Sequence, residues 1–374
     1  MKIGITCYPT YGGSGIVATE LGLELANRNH EVHFITYATP IRLDPGHPHI
    51  HYHEVEVPTY ALFQFPPYTL ALATQMAAVA ERYCLDLLHV HYAIPHSISA
   101  LLAQQMIAPR RRLPFITTLH GTDITFVGAE PSYFPITKFS IEKSDGITAV
   151  SDNLRANTVE VFKVDNEIRV IRNFVNCEMY RPLRKRPKEC PFVPAGVKVL
   201  MHLSNFRPAK RTPDCIRILA EAVKHAPVHL LMVGDGPDRD ACEQLSHELG
   251  VEQHVSFLGK QNHVEELIPI ADVMLMPSQL ESFGLAALEG MACGVPAVAT
   301  RVGGVSELVT HGFDGFLEEP GDIPAQSARV IELLTDEALH SRMAGAARST
   351  AVTRFCTSLV IPLYEEYYRE VCGK

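Results

Sequence analysis

Short apolar runs of three to six residues alternate along the chain with longer stretches whose apolar positions recur at helical spacing. In the first half the runs fall at 2–6, 32–37, 87–91, 114–118 and 146–149, and in the second half at 197–202, 228–233, 255–257, 273–276 and 297–300. Runs this short, rich in Val, Ile and Leu, predict strands buried on both faces, as a parallel sheet requires. The amphipathic stretches between them, such as 16–27, predict the crossover helices that parallel strands need.

The series occurs twice, which predicts an α/β chain of two Rossmann-like domains, 1–168 and 169–356, facing each other across a cleft. Ligands are then expected at the carboxyl ends of both sheets. Asn173 to Pro194, with Pro182, Pro187 and Pro191, reads as the interdomain connection. Residues 357–374, with Tyr364, Tyr367 and Tyr368, predict a final helix; pattern leaves open whether it packs back on the first domain.

Composition narrows the function classes. The 374 residues are 47% hydrophobic and 20% charged, and suffice for two buried cores. A net charge of −9 argues against general nucleic-acid binding. No eighteen-residue apolar window predicts a membrane span, and the start runs into Lys2–Thr6 as a strand and not a signal peptide. Arg110–Arg112 is a solvated basic triplet, so no stable membrane association is expected. Nine cysteines without a Cys-x-x-Cys pair fit reduced thiols in the cytoplasm. His47, His49, His51 and His53 alternate beside proline and acidic residues and read as a solvated edge strand, so no metal ligands are assigned.

The chemistry concentrates at strand ends. Glu281-Ser-Phe-Gly-Leu-Ala-Ala-Leu-Glu289 places two carboxylates around a turn and a helix opening at Ser282 or Phe283. Free N–H groups and the helix dipole favour an anion there, and carboxylates accept hydrogen bonds from sugar hydroxyls. Eight residues of helix rise about 12 Å, enough for two carboxylates to flank a diphosphate. Ser204-Asn-Phe-Arg-Pro-Ala-Lys-Arg211 supplies cations suited to diphosphate oxygens. Gly12, Gly13 and Gly15 come after the first strand but lack the dinucleotide spacing, which disfavours an NAD enzyme. His120-Gly-Thr-Asp123 lies after the fourth strand, and Tyr92 and His96 after the third.

Together with Gly234-Asp-Gly-Pro237, these motifs resemble, over essentially the whole chain, the retaining glycosyltransferases of the GT-B fold, in the sucrose-synthase and glycogen-synthase-like family. Within that family, Cys7–Gly15, Leu88–His96, Thr117–Asp123 and Glu281–Gly284 resemble the members that join UDP-N-acetylglucosamine to the hydroxyl of L-malate with retention, the opening step of bacillithiol biosynthesis. The resemblance implies that Glu289 holds the ribose and Glu281 the donor sugar. Backbone groups of Phe283, Gly284 and Leu285 meet the donor near its phosphates, Gly13 permits its close approach, and Leu258 flanks the uracil. Arg207 and Lys210 neutralise the diphosphate, and His120 sits by the transferred carbon. Where many members carry an arginine five residues before the lysine, this chain has Asn205, so Arg207 would fill the role from a shorter loop.

Cleaving the anomeric bond builds oxocarbenium character on the sugar and negative charge on UDP, which these cations and N–H groups would stabilise without a required cofactor or metal. With no evident covalent nucleophile, front-face attack with the departing phosphate taking the proton is the expected path. Malate, a dianion with a hydroxyl, would be met by Ser14, Tyr92, Thr118, Thr122, Asn153 and Arg155. The rivals are another acceptor (an inositol phosphate, a lipid-linked sugar or a glycan), a UDP-N-acetylglucosamine 2-epimerase, and a non-catalytic nucleotide-sugar binder. Self-association is left open.

Overall fold

The structure is a computed structural model describing residues 1–44, 46–57, 64–108, 110–183 and 191–373. It divides into two compact units: unit 1 is Met1–Arg172 with Val360–Lys374, and unit 2 is Asn173–Leu359. Among the described residues no helix is long and apolar enough to cross a membrane.

Unit 1 holds seven parallel strands: β1 Lys2–Thr6, β2 Glu31–Thr36, β3 Ile50–Glu54, β4 Leu87–His91, β5 Phe115–Leu119, β6 Gly146–Ala149 and β7 Arg169–Val170, in the order β3-β2-β1-β4-β5-β6-β7. Strands β1, β4, β5 and β6 lie inside the sheet and are almost wholly buried, which explains their unbroken apolar runs. Chain order reverses between β1 and β4, whose following loops carry Gly13, Ser14 and Tyr92; His120 and Thr122 come after β5, and Asn153 and Arg155 after β6.

Unit 2 holds six more: β8 Lys198–Ser204, β9 Val228–Gly234, β10 Val255–Gly259, β11 Val273–Met276, β12 Ala297–Thr300 and β13 Gly315–Glu318, in the order β10-β9-β8-β11-β12-β13. All are parallel. Here the reversal falls between β8 and β11, and the loops leaving these two strands contain Arg207, Lys210 and Glu281.

Several expectations need correction. The unit boundary lies at Arg172, not 168, because β7 still pairs with β6 through Ala149 and Val170. Asn173–Tyr180 is no free connection: Phe174, Val175, Cys177 and Tyr180 are buried, and the Val175 N–H donates to the Phe355 carbonyl at 2.9 Å within unit 2. Residues 184–190 of that stretch, with Pro187, lie outside the described residues. The first helix opens at Gly13, not at 16. Gly15 is needed there because a Cβ would meet the Tyr8 carbonyl oxygen at 2.5 Å. Of the four alternating histidines, β3 holds His51 and His53; the two before it sit in a turn, where the His47 ring accepts from the His49 N–H.

The helix Thr357–Cys372 carries three tyrosines into the body of unit 1. Tyr368 hydroxyl lies 2.7 Å from His89 Nδ1 in β4, and Tyr367 hydroxyl accepts from the Ile147 N–H in β6 at 2.9 Å. Glu365 pairs with Arg28 at 2.8 Å and Arg169 with Glu370 at 2.7 Å, both within unit 1.

Candidate functional site

In unit 2 the basic loop is fixed by a buried relay that the sequence does not reveal. His202 Nδ1 donates to the Leu275 carbonyl at 2.9 Å, its Nε2 lies 2.7 Å from Ser204 Oγ, and Ser204 Oγ accepts the Phe206 N–H at 3.1 Å. Burial pushes His202 down to about 4, so the ring is neutral and its Nε2 accepts from the serine. The relay holds Phe206 at φ +37, a conformation costly for a non-glycine residue, and so directs the chain into Arg207 and the turn that carries Lys210. Asn205 is half-buried with its side-chain oxygen unpartnered, and its carbonyl lies where a Cβ on Gly236 would clash at 2.1 Å. That glycine lets the Gly234–Pro237 turn approach the basic loop.

Arg207 is exposed and has no ion-pair partner among the described residues. Lys210, at the end of the short turn Pro208–Lys210, places Nζ 2.5 Å from Glu281 Oε2. The Gln279 N–H donates to the Ala209 carbonyl at 2.7 Å, joining the same two loops. Glu281 therefore projects from a loop held against the basic turn, four residues before the helix.

That helix is Leu285–Ala292, not a helix opening at Ser282 or Phe283. Gly284 is its N-cap at φ +99, which a glycine adopts freely and which ends the preceding turn. The first intrahelical bond here is Leu288 N–H to the Gly284 carbonyl, so the N–H groups from Gly284 to Ala287 have no partner within the helix and make the anion-favouring end. Leu285 contributes one of them. Phe283 is buried against Phe355, with ring centroids 5.7 Å apart, and anchors the turn. Glu289 lies on the second turn, buried, where its Oε1 accepts from the Tyr180 hydroxyl at 3.0 Å. Arg348 fixes the stretch of chain carrying Tyr180 by donating to the Tyr180 and Cys177 carbonyls at 2.7 and 3.0 Å. Leu258, half-buried in β10, gives its carbonyl to Gln261 at 2.7 Å.

In unit 1, His120 comes directly after β5 and its Nε2 lies 2.8 Å from His91 Nδ1. Burial pushes His120 down to about 3 and His91 well below the usual range, so both are neutral and share one proton on that contact. His91 Nε2 has no partner, and an orphaned lone pair costs less than an orphaned N–H. The proton therefore sits on His91 Nδ1, Nε2 of His120 accepts, and His120 Nδ1–H is the donor it presents. Asp123 does not cap the next segment. Its carboxylate accepts the N–H groups of His120, Gly121 and Ala93 at 3.1, 2.8 and 3.0 Å and braces the loop; burial raises its pKa against these bonds.

Ser14, in the first turn of Gly13–Asn27, donates to the Tyr92 hydroxyl at 3.3 Å, and Tyr92 stacks on His120 with centroids 5.5 Å apart. Gly13, Ser14, Tyr92 and His120 are thus brought together. Thr122 is half-buried at the start of Thr122–Thr125. Thr118 is not available to a ligand: it is buried, with its hydroxyl 2.6 Å from both His89 Nε2 and Thr148 Oγ1. Asn153 and Arg155 lie exposed on the first turns of Asp152–Phe162, where Asn153 accepts from Asn157 and Arg155 pairs with Asp152 at 2.8 Å.

The chain matches two family models, Glycosyltransferase Family 4 over residues 11–179 and Glycosyl transferases group 1 over 188–350. It is 48% identical, over 99% of its length and 97% of the relative's, to the N-acetyl-alpha-D-glucosaminyl L-malate synthase of Bacillus anthracis. Among solved structures it resembles sucrose-phosphate synthase from Thermosynechococcus elongatus, with TM-score 0.82 and 21% identity over 100% of this chain and 99% of that one. It also resembles Anabaena HepE in complex with UDP and glucose, with TM-score 0.82 and 21% identity over 98% and 99%. On these sequence matches and this architecture, the chain belongs to the group 1 and family 4 glycosyltransferases of the GT-B fold and is a hexosyltransferase.

Proposed function

We propose that the chain transfers N-acetylglucosamine from UDP-N-acetylglucosamine to the hydroxyl of L-malate with retention, the first step of bacillithiol biosynthesis. The observation that carries this reading is the 48% identity, sustained over 99% of the chain, to a synthase named for that product. The acceptor candidates, with Gly13 and His120, lie in unit 1, and the remaining donor candidates lie in unit 2. Unpartnered N–H groups from Gly284 to Ala287, with Arg207 and Lys210, receive the diphosphate, while Glu289 and Glu281 accept from ribose and sugar hydroxyls.

As the anomeric bond to the phosphate oxygen breaks, charge grows on UDP, and these groups stabilise it more in the transition state than before it. The malate oxygen attacks the anomeric carbon from the same face, and its proton passes to the departing phosphate oxygen. His120, neutral, serves as a hydrogen-bond donor and not as an acid. No residue of this path needs a metal or cofactor. A cytoplasmic setting accords with all eight described cysteines being free thiols.

Incubation with UDP-N-acetylglucosamine, with and without L-malate, tests the reading. Malate-dependent release of UDP together with an α-linked glucosaminyl-malate supports it. Release only with another acceptor overturns the malate assignment, and a changed sugar without UDP release overturns transfer.

A further inference from the structure

A separate cluster of ligating side chains lies at the edge of the unit 1 sheet, on β2 and β3, with β1 and β4 between it and the His120 strand. Register pairs His33 with His51 and Ile35 with His53. Because side chains two apart share a sheet face, Glu31, His33, His51 and His53 all project on one side. Glu31 Oε1 lies 3.1 Å from His33 Nε2 and 3.8 Å from His51 Nε2, and the three donor atoms are all within 4.8 Å of one another. A tetrahedral ion bound at about 2.1 Å sets its donors about 3.4 Å apart, between the two shorter spacings observed.

We propose that Glu31, His33 and His51 form a binding site for a divalent transition-metal ion of the zinc class, with a fourth position open to water, that clamps edge strand β3 onto β2.

The surroundings suit such an ion. His33 Nδ1 lies 2.9 Å from His53 Nε2. When His33 Nε2 gives its lone pair to a metal, its proton resides on Nδ1 and is accepted by His53, the outer contact that orients a ligating imidazole. His33 is fully buried, so its ring is held in place and away from water. Lys2 Nζ engages the other carboxylate oxygen, Oε2, at 2.9 Å, leaving Oε1 toward the histidines. The Tyr83 ring packs on His33, His51 and His53 at centroid distances of 4.6, 6.2 and 5.2 Å and supplies an apolar wall. Glu31 and His51 are part-exposed, which gives an ion its entry. Two imidazoles and one carboxylate favour zinc, nickel or cobalt over the oxygen-seeking magnesium and calcium.

The test is calorimetric titration of the full chain, stripped with chelator, with zinc chloride alone, and then the visible spectrum of the cobalt-loaded protein. One equivalent of zinc bound at micromolar concentration or below, with tetrahedral cobalt bands, is expected. His51→Ala and Glu31→Gln, each removing a ligand, should each weaken binding by more than the roughly 10–100-fold that losing an outer contact costs, whereas His47→Ala, whose ring contacts Asn27 and the His49 N–H, should not. Both altered side chains are part-exposed, and circular dichroism without metal verifies their folding. Absence of zinc uptake by the parent chain, or uptake that survives both substitutions, overturns the proposal.

Discussion

Lys210 Nζ and Glu281 Oε2 stand 2.5 Å apart, so a cation proposed for the diphosphate and an acid proposed for the sugar orient each other. Lys210→Ala is expected to lower kcat about 10²–10³-fold, the effect typical of losing one fixed charge-stabilising donor, with a smaller change in donor KM. Steady-state UDP release measures both constants, and an unchanged kcat would remove Lys210 from the chemistry.

Glu289→Ala should raise the KM for UDP-N-acetylglucosamine more than that for malate. Its bond from Tyr180 makes a second variant informative. Tyr180→Phe keeps the carboxylate but loosens its aim, so its donor KM should move in the same direction by a smaller factor. A charge-assisted hydrogen bond contributes roughly 1.5–3 kcal/mol, placing the Glu289→Ala effect at about 10–100-fold. Equal effects on both substrates would argue against ribose recognition.

Acid should destabilise the fold before ordinary carboxylates titrate. His89 and His120 are pushed down to about 3, and His96 and His202 to about 4, all by burial. Below their ordinary value of about 6.5 the unfolded chain binds protons that the folded chain refuses. Stability therefore falls as pH drops from about 6.5 toward 4, by up to about 1.4 kcal/mol per pH unit for each such histidine. Glu31 and Glu365, whose pKa values are lowered mainly by hydrogen bonds from Lys2 and Arg28, add their losses only at lower pH. Calorimetric Tm should be level from pH 8 to 7 and decline between 6.5 and 5; a level Tm down to pH 5 would contradict the neutral cluster.

Gly284→Ala should cost about 1 kcal/mol or more, because φ +99 is strained for any residue with a Cβ and that Cβ would lie 3.1 Å from Met276 Cε. If the helix start receives the phosphates, UDP affinity measured by calorimetry should fall further than Tm alone accounts for. Loss of stability with unaltered UDP affinity would detach the phosphates from this turn.

The inner strands were legible because burial on both faces leaves an uninterrupted apolar run. β7 escaped the pattern because it has only two residues, and β13 because Gly315-Phe-Leu-Glu318 offers just two apolar residues between a glycine and an acid. The motif residues around Gly284 were legible too, but the helix start was not: Ser282 suits an N-cap by type, whereas the observed cap is the positive-φ glycine two positions on. What sequence could not show were the supports. Tyr180 reaches Glu289 across 109 residues, and His202 reaches the Leu275 carbonyl across 73. Thr118 has the donor an acceptor pocket wants, yet the neighbouring strands consume it. Asp123 left a hint, an acid directly after His-Gly-Thr, but its partners in the loop after β4 appear only once β4 and β5 are adjacent.

The segment from Val360 onward, with Tyr364 and Tyr368, completes the interior of a lobe whose remaining residues precede position 173. During synthesis the ribosome must therefore run through the whole intervening lobe, Asn173–Leu359, before the earlier one can close. A chain ending shortly after Leu359 would hold every residue of the second lobe but leave the first without this buried helix.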